Sequence, residues 1–351
     1  MTPASSAPAA LDRRSDGDYA QLSRMIRDAG LLRRRHGWYA VTVTLSLAAF
    51  AGAWVLFGLL GNSWWQLGTA VLLAVAFTHV AFLGHDAGHK QIFRDRRPND
   101  VLGHVAGGLV GLSYGWWMGK HSRHHANPNH EDEDPDLHIA ILAFTDGQSR
   151  TRNGFYRWTA SHQAYLFFPL LLLEGFALHA SGIDAAVRGE LRRLTLERVL
   201  LGVHVVAYLG AVFTVLSWPK ALVFVAVHQC LWGLYMGFSF APNHKGMETL
   251  RAGDTTGFLR KQVLTSRDVG GRGANVALGG LNYQIEHHLF PTMPRPNLRR
   301  AQPIVRAFCD EHGVSYTSCS LARSYGDVLR HLHAVGAPLR AGTSITELDT
   351  P

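Results

Sequence analysis

The sequence predicts an all-α integral membrane protein: four transmembrane helices paired as two hairpins, interfacial helices beside them, and a helical cap on the cytoplasmic side. Three observations predict it. Four windows are long and apolar enough to cross a bilayer, arginines mark which ends of those windows face the cytoplasm, and histidines gather at the same ends. The composition, 47% hydrophobic and only 17% charged over 351 residues, averages strongly apolar stretches with strongly polar ones and so conceals this order.

Residues 1–20, MTPASSAPAALDRRSDGDYA, are rich in Ala, Pro and Ser and lack the apolar run of a signal peptide, so a disordered tail is expected there. A second tail is expected over 339–351, with a single domain over 21–338 between them. A bilayer core of about 30 Å takes about 20 helical residues. Residues 38–61 and 64–84 meet that length and are parted by Asn62 and Ser63 alone, which makes a tight hairpin. Residues 199–218 and 221–241, parted by Pro219 and Lys220, make a second. The stretch 164–180 is shorter and contains Pro169 and Glu174.

Basic residues in short loops collect on the cytoplasmic side. Arg24, Arg27 and Arg33 to Arg35 precede the first span, Lys90, Arg94, Arg96 and Arg97 follow the second, and Arg188, Arg192, Arg193 and Arg198 precede or open the third. Both ends of the first hairpin and the start of the second therefore face the cytoplasm. Residues 164–180 then begin and end on one side, as an interfacial or re-entrant element, and the Gly- and Trp-rich 101–119 is expected to lie at the membrane surface. The net charge of +8 fits arginines facing anionic headgroups; no soluble basic face for nucleic acid is present. Cys230, Cys309 and Cys319 have neither metal-site nor disulfide spacing.

Eight of the twenty histidines fall in short groups at the cytoplasmic ends: His85 and His89 in HDAGH, His121, His124 and His125 in HSRHH, His244 in APNHKG, and His287 and His288 in QIEHH. Spacings of i, i+3 and i+4 put such rings on one helix face. Packed imidazoles repel when protonated and compete for donors when neutral, whereas a metal ion uses several at once. Eight exceed what one tetrahedral ion takes, so the cap is expected to hold a di-metal site, with iron, zinc and copper all compatible with imidazole. Isolated histidines such as His204 and His228 read as packing residues. A membrane metal transporter would instead place ligands at mid-span depth.

HDAGH, HSRHH and QIEHH, in this order and with this hairpin spacing, resemble the three histidine boxes of the membrane fatty acid desaturase and hydroxylase superfamily, over roughly residues 20–335. The glutamine opening QIEHH resembles the front-end and acyl-CoA or acyl-lipid branch, and HHANPNHEDEDPDL resembles bacterial members. The resemblance implies a non-haem di-iron centre held by His85, His89, His121, His124, His125, His244, His287 and His288, with Gln284 a weak, water-bridged or merely orienting neighbour. Asp86, Asn243, Glu286, Asp134 and Asp136 would accept hydrogen bonds from those rings, although the run EDEDPD reads first as a solvated loop. The implied activity is a fatty acid desaturase, an oxidoreductase that uses O2 to introduce a double bond into an acyl chain carried on CoA, carrier protein or lipid. A hydroxylase on the same scaffold is the alternative. Trp116 and Trp117 suit either a substrate tunnel or interfacial anchoring. No HPGG occurs, so the implied electron donor is separate, of ferredoxin, flavodoxin or cytochrome b5 type with its reductase. The implied setting is a bacterial cell membrane with the active site on its cytoplasmic face.

Overall fold

The structure, a computed structural model, describes residues 7–341. Helix α1 (Ala7–Asp28) leads into the first hairpin, α2 (His36–Leu60) and α3 (Gln66–Gly88). Helices α4 (Arg96–Val110) and α5 (Tyr114–Ala126) follow, and a loop with a 3-10 turn at Pro135–Leu137 reaches α6 (Asp146–Arg150), α7 (Gly154–Leu171) and α8 (Glu174–Arg188). The second hairpin is α9 (Leu194–Val215) with α10 (Trp218–His244). The cap then runs through α11 (Phe258–Leu264), β1 (Asp268–Gly270), α12 (Ala274–Ala277), α13 (Gln284–Leu289), α14 (Arg295–Glu311), β2 (Ser318–Ser320) and α15 (Leu321–Arg340).

Helices α2, α3, α9 and α10 are each long and apolar enough to cross a membrane. Their two turns are tied together: Lys220 Nζ donates to the Asn62 carbonyl at 2.8 Å, and Asn62 Oδ1 accepts the Ser217 amide at 3.1 Å. Both turns thus lie at one end of the bundle, and the histidine groups lie at the other. The pairs differ in burial. Only 17% and 22% of the apolar windows of α2 and α9 are buried, against 61% and 39% for α3 and α10. Leu59 and Val206, among the most exposed apolar side chains, sit on α2 and α9; lipid is the solvent that makes such exposure favourable. Phe77, Phe224 and Trp232, on α3 and α10, fill the bundle core.

Two expectations are corrected. The tail expected over 1–20 is helical from Ala7, and α1 carries Tyr19, Leu22 and Ile26 on one face, where they pack against Leu259, Ile285 and Phe308 of the cap; residues 1–6, like 342–351 at the other end, lie outside the described residues. Residues 101–119 do not form one surface element: a turn at Gly111–Ser113 separates α4 from α5, and Ser113 Oγ caps α5 by accepting the Trp116 amide. Within the helical cap, β1 and β2 pair in parallel over three residues each, with Asp268 opposite Ser318. Residues 164–180 divide between α7 and α8, which meet at 83°, a broken or re-entrant element rather than a straight span.

The cap is latched to the bundle through Arg295. Its guanidinium pairs with Asp86 Oδ2 at 2.5 Å, donates to the Phe82 carbonyl at 3.0 Å, and lies 5.7 Å from the Trp38 and Phe82 rings. The Arg295 amide donates to Tyr39 Oη, whose own hydrogen goes to Gln91, and Gln91 reaches the Pro291 carbonyl. Asp86 and Arg295 are both buried. Removing one partner of such a pair leaves an uncompensated buried charge and costs about 3–5 kcal/mol. Arg295→Met is therefore expected to lower the unfolding temperature in detergent sharply, and Asp86→Asn added to it should recover a large part of the loss. Equal melting of wild type and Arg295→Met would remove the latch.

Candidate metal centre

Four chain segments deliver the histidines. His85 lies in the last turn of α3 and His89 caps that helix; α5 carries His121, His124 and His125, α10 ends at His244, and α13 carries His287 and His288. Close approach of α5 to α3 depends on Gly88, where a Cβ would stand 2.6 Å from Met118 Sδ and 2.8 Å from the Trp117 ring. Helix α13 is buried over all six residues. Ile285 and Leu289 turn into the cap core, while Gln284, His287 and His288 turn to the centre. Its first turn is held from β1, where Asp268 Oδ1 accepts the Ile285 amide at 3.1 Å.

The rings form two groups whose donor atoms converge: His85, His89, His121 and His287 in one, His124, His244 and His288 in the other. His125 stands between them. Its Nε2 is 3.1 Å from Nε2 of both His121 and His287, and its ring stacks on His288 at 4.1 Å. The Nε2 atoms of His89 and His121 are 2.8 Å apart. Bonds of about 2.1 Å from one ion set neighbouring donors about 3 Å apart, which is the spacing found. His85 Nε2 and His288 Nε2 are buried without a hydrogen-bond partner among the described residues, an expensive state unless something else takes the lone pair. Burial, reinforced by neighbouring imidazoles, pushes His121, His125, His287 and His288 well below the usual imidazole range, so these rings are neutral ligand-ready donors. The donor set fits two metal ions.

The second group is oriented from behind. His124 Nδ1 meets both oxygens of Asp134 at 3.0 Å, His244 Nδ1 donates to the Thr265 carbonyl at 3.0 Å, and His288 Nδ1 to Gln262 Oε1 at 2.9 Å. Each contact turns Nε2 toward the centre. Burial opposes protonation of His124, but Asp134 and Asp136 outweigh it and hold its pKa above the usual value. Asp134 is fully buried and also takes the Asn129 amide at 2.8 Å, so for this residue the solvated-loop reading of EDEDPD is wrong. Asp136 lies 3.5 Å from His124 Nδ1 and is neutralised by Lys120 at 2.8 Å.

The other expected acceptors behave differently. Asp86 is 3.4 Å from His85 Nδ1, a loose contact, because its other oxygen serves Arg295. Glu286 accepts from Tyr316 at 2.9 Å and touches none of the eight rings. Asn243 also accepts from none of them. It donates to Gln284 Oε1 at 3.3 Å, and Gln284 Nε2 then faces His244 Nε2 at 2.9 Å, so the glutamine presents a donor beside the second group. Gln262 and the Thr265 carbonyl escaped sequence reasoning, since no motif flags an amide or a carbonyl in an α11 that follows a long loop. Trp117 stacks on His121 at 4.4 Å and lines a narrow slot that reaches His85. Mid-span His204 and His228 pack against Leu109 and Tyr208 and join neither group.

The family described as fatty acid desaturase matches residues 62–320. The chain is similar to an acyl-lipid (9-3)-desaturase of Physcomitrium patens, 33% identical over 91% of the chain and 62% of the moss protein. It is also similar to a fatty acid desaturase 3 of Bos taurus, 30% identical over 91% of the chain and 73% of the relative, and to a delta(8)-fatty-acid desaturase of Helianthus annuus, 28% identical over 92% and 74%. The chain thus spans less than two thirds of the moss relative's length. With four apolar helices, two converging histidine groups and this extent of match, the chain belongs to the fatty acid desaturase family.

Proposed function

We propose that the chain is a membrane-bound desaturase that introduces a double bond into a fatty acyl chain, with O2 as co-substrate and two non-haem irons as cofactor. One observation carries the reading: imidazoles from α3, α5, α10 and α13 converge at one end of an apolar bundle, those of α3, α5 and α13 with Nε2 atoms about 3 Å apart. His85, His89, His121 and His287 would hold one iron and His124, His244 and His288 the other, and His125, with its Nε2 3.1 Å from those of His121 and His287, would join the first. Residues 21–338 act as a single catalytic unit.

An unactivated methylene has no acidic proton, and iron supplies the oxygen activation that acid–base side chains cannot. The chain's own residues do the rest. Asp134, the Thr265 carbonyl and Gln262 fix the rings of His124, His244 and His288, so that the donors are preorganised. Trp117 covers His121 and keeps water from that face, and the narrow slot beside His85 is walled mainly by apolar side chains. The arginine distribution supports a centre on the cytoplasmic side of the membrane, where a separate reductant would deliver electrons. The bacterial setting rests on the HHANPNHEDEDPDL stretch alone.

Mass spectrometry of total acyl chains from an expressing bacterial host, supplied with a ferredoxin and its reductase, tests the activity. New chains lacking two hydrogens, absent with His124→Ala, are expected. Chains with one added oxygen would move the assignment to hydroxylation, and chains unchanged from the empty host would overturn both. Asp134→Asn keeps shape but loses the anion behind His124, and is expected to lower iron affinity about 10–100-fold. Iron retained after dialysis against a graded chelator series measures this; retention equal to wild type would remove Asp134 from the site.

A further inference from the structure

Two cavities meet at one residue. A cleft of about 580 Å³ between α4, α5, α8 and α9 opens at the arginine-rich end of the bundle, and its lining includes Arg97, Arg123, Arg192 and Arg193. None of these four has a carboxylate partner among the described residues. The second cavity is the slot beside His85, about 30 Å³, walled by Ala81, Val110, Met236 and Phe240. Tyr114 lines both. Ligand pockets run to about 300–1,000 Å³, whereas about 30 Å³ is the room of a single water. The cleft can hold a substrate group; the slot, with Tyr114 where it stands, cannot hold an acyl chain.

The Tyr114 ring occupies a seat cut for it. A Cβ at Gly103 would stand 2.3 Å from Tyr114 Cε2, so only glycine leaves room for the ring there. His104 forms the neighbouring wall at 4.8 Å between ring centres and is itself fixed, by the Asp100 carbonyl at 2.6 Å and by Glu197 at 3.3 Å. The tyrosine is held less firmly. It is 7% exposed, yet no hydrogen bond of its hydroxyl is found among the described residues.

We infer that Tyr114 is the gate between the basic cleft and the slot at His85, and that its ring must swing out of the Gly103 seat before an acyl chain reaches the metal centre. The inference deepens the desaturase reading and rests on it for the identity of the chain. The carrier group remains in the cleft against the arginines while the apolar tail passes the ring. Tyr114 is a positioning residue: it controls how much chain enters, and through that which carbons lie beside the centre.

The test uses the full chain in nanodiscs with a palmitic acid analogue bearing a terminal diazirine, irradiated without reductant, so that the readout is the crosslinked residue and not turnover. Tyr114→Ala is expected to raise labelling of Val110, Met236 and Phe240 several-fold over wild type, Tyr114→Trp to lower it several-fold, and Tyr114→Phe, which keeps the ring, to match wild type. Circular dichroism and bound iron monitor folding of each variant, and Tyr114→Leu replaces the alanine variant if that one fails to fold. Slot labelling that is the same in wild type, Tyr114→Ala or its Leu substitute, and Tyr114→Trp, or absent from all of them, overturns the gate. If wild type makes no desaturated product, the desaturase reading fails separately, because the labelling still reports whether the ring controls access.

Discussion

Eight imidazoles packed into one buried volume constrain everything else in this molecule. Burial holds those of α13 and most of those of α5 neutral, and neutral rings with Nε2 facing Nε2 at 2.8–3.1 Å have too few protons to satisfy one another. Without an ion the arrangement would cost several unsatisfied buried groups at about 1–3 kcal/mol each. The fold has to supply that cost from elsewhere or recover it by binding metal. Both the rigidity of the cap and its attachment to the membrane bundle follow from holding these rings in place.

The attachment uses few contacts, each placed at a histidine group. Gly88 lets the α5 rings come against those of α3. Asp86, one residue from His85, receives Arg295 from the cap, so the same turn of α3 carries a ring and anchors the domain that covers it. Asp268 caps α13 through the Ile285 amide and is held in turn by Tyr316 and Gln302, which explains why a short strand pair interrupts an otherwise helical cap. A buried helix of six residues is marginal alone. It persists because its backbone, its core face and its histidine face are each secured by a different neighbour.

The spans were legible because a bilayer needs about 20 apolar residues and the chain offers four such runs parted by minimal turns. The rings were legible because i, i+3 and i+4 spacing puts them on one face. Their supports were less so. Asp134 sits in an acidic run whose composition resembles any solvated loop, and only folding buries it. Gln262 and the Thr265 carbonyl come from a segment distant in sequence, where nothing local marks them. Glu286 adjoins His287 in the same motif, and only the folded cap shows that it turns to Tyr316 instead. The helix over Ala7–Asp28 carried its own signal in Tyr19, Leu22 and Ile26, outweighed by the Ala, Pro and Ser that precede them.

The central claim is that these rings hold two irons. The most direct measurement is metal content of the wild-type chain, purified without chelator, together with X-ray absorption at the iron edge. The account predicts two irons per chain with a nitrogen-dominated shell at about 2.1 Å, close to the imidazole bond lengths of related divalent ions. One tetrahedral zinc per chain, or iron surrounded mainly by oxygen, would contradict it.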